Sequence, residues 1–294
     1  MNAFDVWNLG SVNIDRVYSL DHIVAPGETE SAAALAEAPG GKGFNQSVAL
    51  ARAGARVHHV GAVGADGAHL AAMLRDAGAD TAHLAAVDGP TGHAIIQVDK
   101  DGRNSIVVFA AANGRVAPEA VRAALAGAKP GDVLLCQNET SSVAEAMREA
   151  KARGMRIVFN PSPFDAKIAA LPLELVDLFV VNETEEAGLL ALGGPAAAAA
   201  RVVTRGADGC ESLAPGRGPV RADAFRVKAV DTTAAGDTFT GYYLAALAAG
   251  ADEASALRRA SAAAAIAVTR PGAAPSVPVA AEVDAFLAAR EASA

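Results

Sequence analysis

Four short runs in the second half of the chain, Val133-Leu134-Leu135-Cys136, Arg156-Ile157-Val158-Phe159, Leu178-Phe179-Val180-Val181 and Arg201-Val202-Val203, are almost unbroken apolar sequence. A strand with one face in water alternates polar and apolar residues, whereas unbroken runs of this length belong to strands covered on both faces. Longer stretches with helical spacing separate them. The pattern predicts an α/β fold, a mostly parallel sheet flanked by helices. Each run stops at polar residues: Gln137-Asn138-Glu139, Asn160, Asn182 and Thr204, with a fifth run, Phe225 to Val230, stopping at Asp231. Open α/β sheets bind ligands beyond the carboxyl ends of their strands, so this row of stops marks a candidate site. Taken singly, Asn and Asp also cap helices and start turns.

The first third reads differently. Thr91 to Val98 and Asn104 to Phe109 partly alternate and flank Asp99-Lys100-Asp101-Gly102-Arg103, a hairpin signal built on Asp-Gly. With the strand-prone stretch Asn13 to Ala36 they either form a small sheet projecting as a lid or extend the central sheet. Ala191 to Ala200 is of low complexity and reads as a loop plus a short helix.

Composition narrows the function classes. The 33 acidic residues exceed the 25 Lys and Arg, and aromatics make up 4%, so the basic stripe and stacking rings of a nucleic-acid surface are missing. The 2 cysteines, Cys136 and Cys210, form neither a CxxC pair nor a Cys/His cluster, which argues against a disulfide framework or a zinc site. The six histidines show no ligand spacing, and Trp7, Tyr242 and Tyr243 read as packing residues. Met1 to Asp5 lacks the basic-then-apolar pattern of a leader, and no apolar run reaches the ~20 residues of a membrane span. A soluble cytoplasmic protein with no membrane or nucleic-acid partner is expected.

Two glycine- and alanine-rich segments carry chemistry. In Asp231-Thr232-Thr233-Ala234-Ala235-Gly236-Asp237-Thr238-Phe239, small residues precede the helical run Thr238 to Ala249. Open N–H groups and the positive end of a helix dipole suit an anion there. Asp237 at that mouth either takes a proton from a hydroxyl or serves as an ordinary cap. The second segment, Pro39-Gly40-Gly41-Lys42-Gly43-Phe44-Asn45-Gln46, precedes the helical run Ser47 to Ala53. It is neither a Walker A loop nor a GxGxxG fingerprint. Lys42 and Asn45 offer donors to hydroxyls or phosphates, or the segment is a simple glycine turn with a surface lysine.

Gly10-Ser11-Val12-Asn13-Ile14-Asp15, the Gly40 to Gln46 loop and Asp231 to Phe239, in this order, resemble the PfkB sugar kinases, most closely the ribokinase branch. Pro26-Gly27-Glu28-Thr29, Asn182-Glu183-Thr184-Glu185 and the run Ala262 to Pro278 extend the likeness over nearly the whole chain. The resemblance implies a ribokinase-like, Rossmann-like α/β domain spanning 1–294, with lid segments at about 14–38 and 91–110. It implies ATP-dependent phosphorylation of a primary sugar hydroxyl, in that branch the 5-hydroxyl of ribose. Asp237 would be the base, and the N–H groups of Ala234, Ala235, Gly236 and Asp237 the anion hole. Asn13, Asp15, Gly41, Lys42, Asn45 and Glu139 match sugar-contacting positions. Thr204, Gly206, Gly209, Gly236 and Ser261 fall on the nucleotide side. Asn182 and Glu185 match an element that acts on Mg²⁺ and phosphates through water. A K⁺ ion would take the side chains of Asp231 and Ser276 and the carbonyls of Thr233, Ala267, Arg270 and Gly272. A homodimer through the lid is also implied.

Three departures from the family pattern stand out. The Glu185 to Val202 segment is short, Ser261 replaces a larger residue near the adenine, and Phe44 replaces a small residue, so that its ring either narrows the sugar pocket or packs beneath it. Related activities the pattern leaves open are phosphorylation of another pentose, a ketohexose, a 2-keto-3-deoxy sugar acid or a nucleoside, or sugar binding without catalysis.

Overall fold

The apolar runs fold into the middle of a nine-stranded sheet. The structure, a computed structural model, describes residues 3–292; Met1 and Asn2, part of the stretch read above for a leader, lie outside the described residues. Along the chain, β1 (Val6–Leu9) starts the large sheet, and β2 (Asn13–Ser19) and β3 (Ala34–Gly40) leave it for a second one. Next come α1 (Lys42–Arg52), β4 (Val57–Val63), α2 (Ala68–Asp76) and β5 (Asp80–Ala86). The hairpin of β6 (Gly92–Val98) and β7 (Asn104–Phe109) completes the second sheet. Helix and strand then alternate through α3 (Pro118–Leu125), β8 (Val133–Gln137), α4 (Val143–Ala152), β9 (Arg156–Asn160) and β10 (Leu178–Asn182). After α5 (Glu183–Leu192) and α6 (Gly194–Ala198), β11 (Arg201–Thr204), β12 (Cys210–Leu213) and β13 (Val220–Ala222) reach the sheet edge. The helices α7 (Ala235–Ala248), α8 (Glu253–Ala267) and α9 (Ala280–Glu291) follow.

The large sheet runs β13-β12-β11-β10-β9-β8-β1-β4-β5. It is parallel from β5 to β11, with β12 and β13 antiparallel at one edge. From β1 the chain builds outward first to one side and later to the other, and that reversal opens a crevice at the carboxyl ends of the strands. Successive strand residues enter different cores. Val133, Leu135, Val158, Val180 and Val202 pack with α1, α7 and α8, whereas Leu134, Cys136, Phe159, Phe179 and Val203 pack on the opposite face. Both faces are covered, which is why these runs carry no polar alternation.

One predicted strand is absent. Phe225 to Val230 joins no ladder, because the antiparallel β13 already occupies the sheet edge. The segment instead lies against the last helices, with Phe225 edge-on to Phe286 at 5.2 Å and the Val230 amide donating to the Val268 carbonyl at 2.7 Å. Both helical runs also start earlier than their apolar spacing indicates. Gly41, at φ +90°, caps α1, and Ala234, left-handed at φ 58°, caps α7, so the small residues form the first turns.

The lid-like segments do not extend the central sheet. They make a separate four-stranded sheet in the order β3-β2-β6-β7, with β2 and β6 parallel and the outer pairs antiparallel. Asp99 closes the β6–β7 turn by accepting from the amides of Asp101 and Arg103, both at 2.9 Å.

Trp7, Tyr242 and Tyr243 are buried packing residues. His58 stacks on Trp7 at 4.1 Å, while His59 reaches Ser47 on the other side of β4 at 2.8 Å, the opposite facing that strand geometry requires. Cys136 and Cys210 are free and buried. Among the described residues no helix is long and apolar enough to cross a membrane.

Candidate active site

The first turn of α7 carries the carboxylate of Asp237. Ala234 turns the chain into the helix, and the Thr238 amide is the first to reach back, to the Ala234 carbonyl at 2.8 Å. The Ala235 amide makes a long contact of 3.3 Å to the Thr232 carbonyl, whereas the amides of Gly236 and Asp237 meet no backbone acceptor. Unsatisfied helix N-terminal donors of this kind bind anions. Asp237 itself is buried, and α1 holds it from below. The Asn45 side-chain amide donates to Oδ2 at 3.1 Å, and that of Gln46 donates to Oδ1 at 2.8 Å. Asn45 Oδ1 is buried with no protein partner.

The glycine loop places α1 there. A Cβ built on Gly43 would lie 2.2 Å from the Gly10 Cα, so the end of β1 and the start of α1 touch backbone to backbone. Across this contact the Ser11 hydroxyl donates to Glu139 at 2.5 Å, and the Lys42 amide donates to the same oxygen at 3.0 Å. Asn113 Nδ2 fixes the Asn13 side chain at 2.7 Å.

Five charged side chains, Asp15, Lys42, Glu139, Glu185 and Asp237, crowd this pocket. Burial pushes the Lys42 ammonium down, but the carboxylates of Asp237, Glu139 and Glu185 outweigh it and hold the group above its ordinary value. Burial raises the Glu139 carboxyl against the opposing pull of Lys42 and its hydrogen bonds. Burial, with Glu139 adding repulsion, pushes Asp15 up to about 6.

Two cavities flank the start of α7. A polar one of about 240 Å³ is walled by Lys42, Asn160, Asn182, Glu185 and Asp237. A larger, mainly apolar one of about 440 Å³ lies toward Gly206, Gly209, Phe225, Phe239 and Ser261. Thr204, Thr232, Ala235 and Gly236 border both. Asn182 and Glu185 sit at the polar cavity because they form the capping box of α5: Asn182 Oδ1 accepts from the Glu185 amide at 2.9 Å and Glu185 Oε2 from the Asn182 amide at 3.0 Å. In the apolar cavity the Ser261 hydroxyl is already engaged with the Cys210 sulfur at 3.4 Å.

Just before α7, Asp231 ties two loops together. Its Oδ1 accepts from the amide and hydroxyl of Thr233 at 2.9 and 2.6 Å, and its Oδ2 accepts from the Gly272 amide at 2.8 Å. Partial burial pushes this carboxyl up, and those hydrogen bonds outweigh it, leaving it below its ordinary value. Ser276 is buried nearby, its hydroxyl donating to the Ala273 carbonyl at 2.7 Å. Thr233, Arg270 and Gly272 lie on the same two loops, and Ala267 ends α8 beside them, its carbonyl accepting from the Arg270 amide at 3.0 Å.

Thus Asn13, Asp15, Gly41, Lys42, Asn45 and Glu139 gather on one side of Asp237, while Thr204, Gly206, Gly209 and Ser261 gather on the other. Phe44 is fully buried in the core, so its ring packs beneath the loop. Sequence reasoning assigned no role to Gln46 or Asn113. Gln46 ended the glycine motif, and that adjacency was the available signal; Asn113 meets Asn13 across 100 residues and left none.

The geometry agrees with comparison to known proteins. Residues 4–280 match the pfkB family carbohydrate kinase model. The chain is 39% identical to the ribokinase of Haemophilus influenzae over 95% of its own length and 97% of that protein's. Its structure superposes on ribokinase from Cryptococcus neoformans in complex with ADP (TM-score 0.83, 35% identity, 96% and 99% of the two chains covered). It also superposes on Arabidopsis thaliana ribokinase complexed with ribose and ATP (TM-score 0.85, 28% identity, 97% and 99% covered). A family model matched over residues 4–280, on a fold shared with ribokinases over nearly the whole chain, places the chain in the pfkB family of carbohydrate kinases, phosphotransferases that act on a sugar hydroxyl.

Proposed function

We propose that this chain transfers the γ-phosphoryl group of ATP to the 5-hydroxyl of ribose, with Asp237 as the general base. The observation that carries the proposal is the placing of a buried carboxylate and two acceptor-free amides in one helical turn, between a polar cavity and a cluster of sugar-type donors and acceptors. Asp237 takes the proton as the hydroxyl oxygen bonds to the γ-phosphorus and the bond to the β-phosphate bridging oxygen breaks. The amides of Gly236 and Asp237, with Ala234 and Ala235 shaping the turn, receive the charge that builds on the transferring oxygens. Lys42, charged and facing the same cavity, adds to that stabilisation.

The sugar lies over the glycine loop. Asn13, Asp15 and Glu139 accept from its hydroxyls, and Lys42 and the Gly41 backbone line the loop beside them. The unpartnered Asn45 Oδ1 supports this reading, since a buried acceptor calls for a donor from the ligand. The nucleotide's base and ribose take the larger cavity along Thr204, Gly206, Gly209 and Ser261, which leads its phosphates past Gly236. The small sheet acts as the lid over the sugar and keeps water from the phosphoryl group.

The donor set near Glu185 fits Mg²⁺: oxygen ligands beside a polar cavity, with room for the waters this ion retains. Asn182 and Glu185 would hold it through water, and it would neutralise charge on the phosphates. The Asp231 region suits K⁺ by its donor chemistry: a carboxylate, the buried Ser276 hydroxyl and main-chain carbonyls on the segments that Asp231 joins. Asp231, Ser276 and the carbonyls of Thr233, Ala267, Arg270 and Gly272 would hold the ion and order the turn before α7.

The small sheet leaves Ile106 and Val108 more than half exposed on its edge strand β7. Both share a face with Asp15, through the register Asp15–Ala94–Val108 and Val17–Ile96–Ile106. That uncovered apolar edge supports a homodimer through the lid, in a protein that works in the cytoplasm.

The test is phosphorylation of a panel of pentoses, hexoses and nucleosides with MgATP, with and without K⁺, by the parent protein and Asp237→Ala. Ribose is expected to be preferred and K⁺ to activate, with the variant losing about 10²–10⁴-fold in kcat while retaining sugar binding. Preference for another acceptor overturns the ribose assignment, and an Asp237→Ala variant with parental turnover overturns the base.

A further inference from the structure

Beneath Asp237 lies a chain of buried side-chain amides whose direction is dictated from both ends. Asn8 Nδ2 donates to the Gly43 carbonyl at 2.9 Å, and a carbonyl can only accept, so the acceptor end of Asn8 faces the other way. Gln137 Nε2 donates to that Asn8 oxygen at 2.9 Å and to Gln46 Oε1 at 2.8 Å. At the far end Asn160 Nδ2 is committed to the Val180 carbonyl at 2.9 Å, which turns Asn160 Oδ1 toward Gln46. Gln46 Nε2 therefore has two fixed acceptors, Asn160 Oδ1 at 3.0 Å and Asp237 Oδ1 at 2.8 Å. Flipping its amide would set oxygen against oxygen at both and nitrogen against nitrogen at Gln137. Asn8, Gln46 and Gln137 are essentially inaccessible to solvent, so bulk water does not substitute for these three.

We propose that Gln46 is a positioning residue for phosphoryl transfer: it pins Asp237 Oδ1 and so assigns Oδ2, beside Asn45, as the oxygen that takes the proton. The inference rests on the reading of Asp237 as the base and adds which of its oxygens acts and what holds it. The two oxygens are not equivalent in this site. Oδ1 is turned into the amide chain, whereas the Oδ2 contact comes from Asn45, whose own carbonyl oxygen is left for a ligand. The charged groups facing this pocket are Lys42 from α1, Glu139 beyond β8, Glu185 from α5 and, next to Glu139, Asp15 from β2, and none occupies the Gln46 position.

The experiment compares kcat, sugar KM and the pH profile of kcat in the parent, Gln46→Met, Gln46→Glu and Asp237→Asn. Met keeps the volume and removes the donor; Glu keeps the shape and sets a second carboxyl against Asp237. In Gln46→Met, kcat is expected to fall by about tenfold or more with sugar KM within about threefold of the parent, because orientation of the base is lost while the sugar contacts stay. In Gln46→Glu the acid limb of kcat is expected to move up by about one pH unit or more, since a neighbouring carboxylate disfavours a second ionised one. The two substitutions probe the position by different chemistry, so misfolding of one leaves the other to decide. Either folded Gln46 variant with a parental kcat and acid limb, alongside an inactive Asp237→Asn, overturns the positioning role alone. Equal losses in kcat and in sugar affinity with an unshifted acid limb mark a structural role and overturn it as well. An active Asp237→Asn overturns the reading of the base and this inference with it.

Discussion

Asp15 should make the free protein less stable at neutral pH, and removing its charge should reveal by how much. Burial and the nearby Glu139 push this carboxyl up to about 6 from its ordinary 3.8. The folded protein therefore binds a proton more tightly than the unfolded chain does, and stability falls as pH rises from about 4 to about 6 and is level above it. Two pH units correspond to about 3 kcal/mol, and solvent reaching a half-buried side chain screens this to roughly 1–3 kcal/mol. Asp15→Asn removes the charge, so the variant should exceed the parent by that amount at pH 7.5, a rise of about 2–6 °C in Tm. The advantage should shrink to about a third near pH 4.5, where the folded carboxyl is protonated but the unfolded chain's is still mostly ionised, and vanish only below the ordinary value of 3.8. The assay is thermal unfolding of both proteins without ligands from pH 4.5 to 8, with sugar binding measured alongside. The variant should bind sugar more weakly, having exchanged an acceptor for stability. A variant less stable than the parent at pH 7.5, or a difference constant across the pH range, would refute the reasoning.

Two further outcomes follow from the packing. Gly43→Ala should destabilise the protein by about 1–3 kcal/mol, because its Cβ has no room against the Gly10 backbone, and unfolding in urea would show it; an unchanged midpoint would mean that the loop yields. Ile106→Glu, at a side chain 53% exposed on β7, should convert dimers to monomers in sedimentation velocity without lowering Tm, and a persistent dimer would exclude this edge as the interface.

The readable part of the fold was the part whose sequence pattern has one cause. Leu134 and Leu135 enter opposite cores, so their strand had to be apolar throughout, and the polar residues that end such strands, Gln137, Asn160 and Asn182, stand at the cavity or beneath it. The Gly40 to Gln46 loop and the start of α7 were legible because close backbone approach and open amides demand small residues. The β6–β7 hairpin was legible from the chemistry of its Asp-Gly turn. By contrast, Phe225 to Val230 has strand-like residues that serve a cavity wall and a helix contact, and local sequence does not distinguish these burials. The strand that took its place at the edge, Val220–Ala222, is too short to show a period. Gln46 and Asn113 act through partners about a hundred or more residues away, and such contacts leave no local trace.

The starts of α1 and α7 sit side by side, with Asn45 and Gln46 of one gripping Asp237 of the other. In the proposed reaction the acceptor's cradle and the phosphate's receptor are therefore machined into one block, and their alignment is set before any ligand arrives. Only the small sheet is separate from that block. A lineage built this way can exchange its lid to admit a differently shaped acceptor without retuning the transfer itself, whereas a change in the seam between the two helices reaches every acceptor at once.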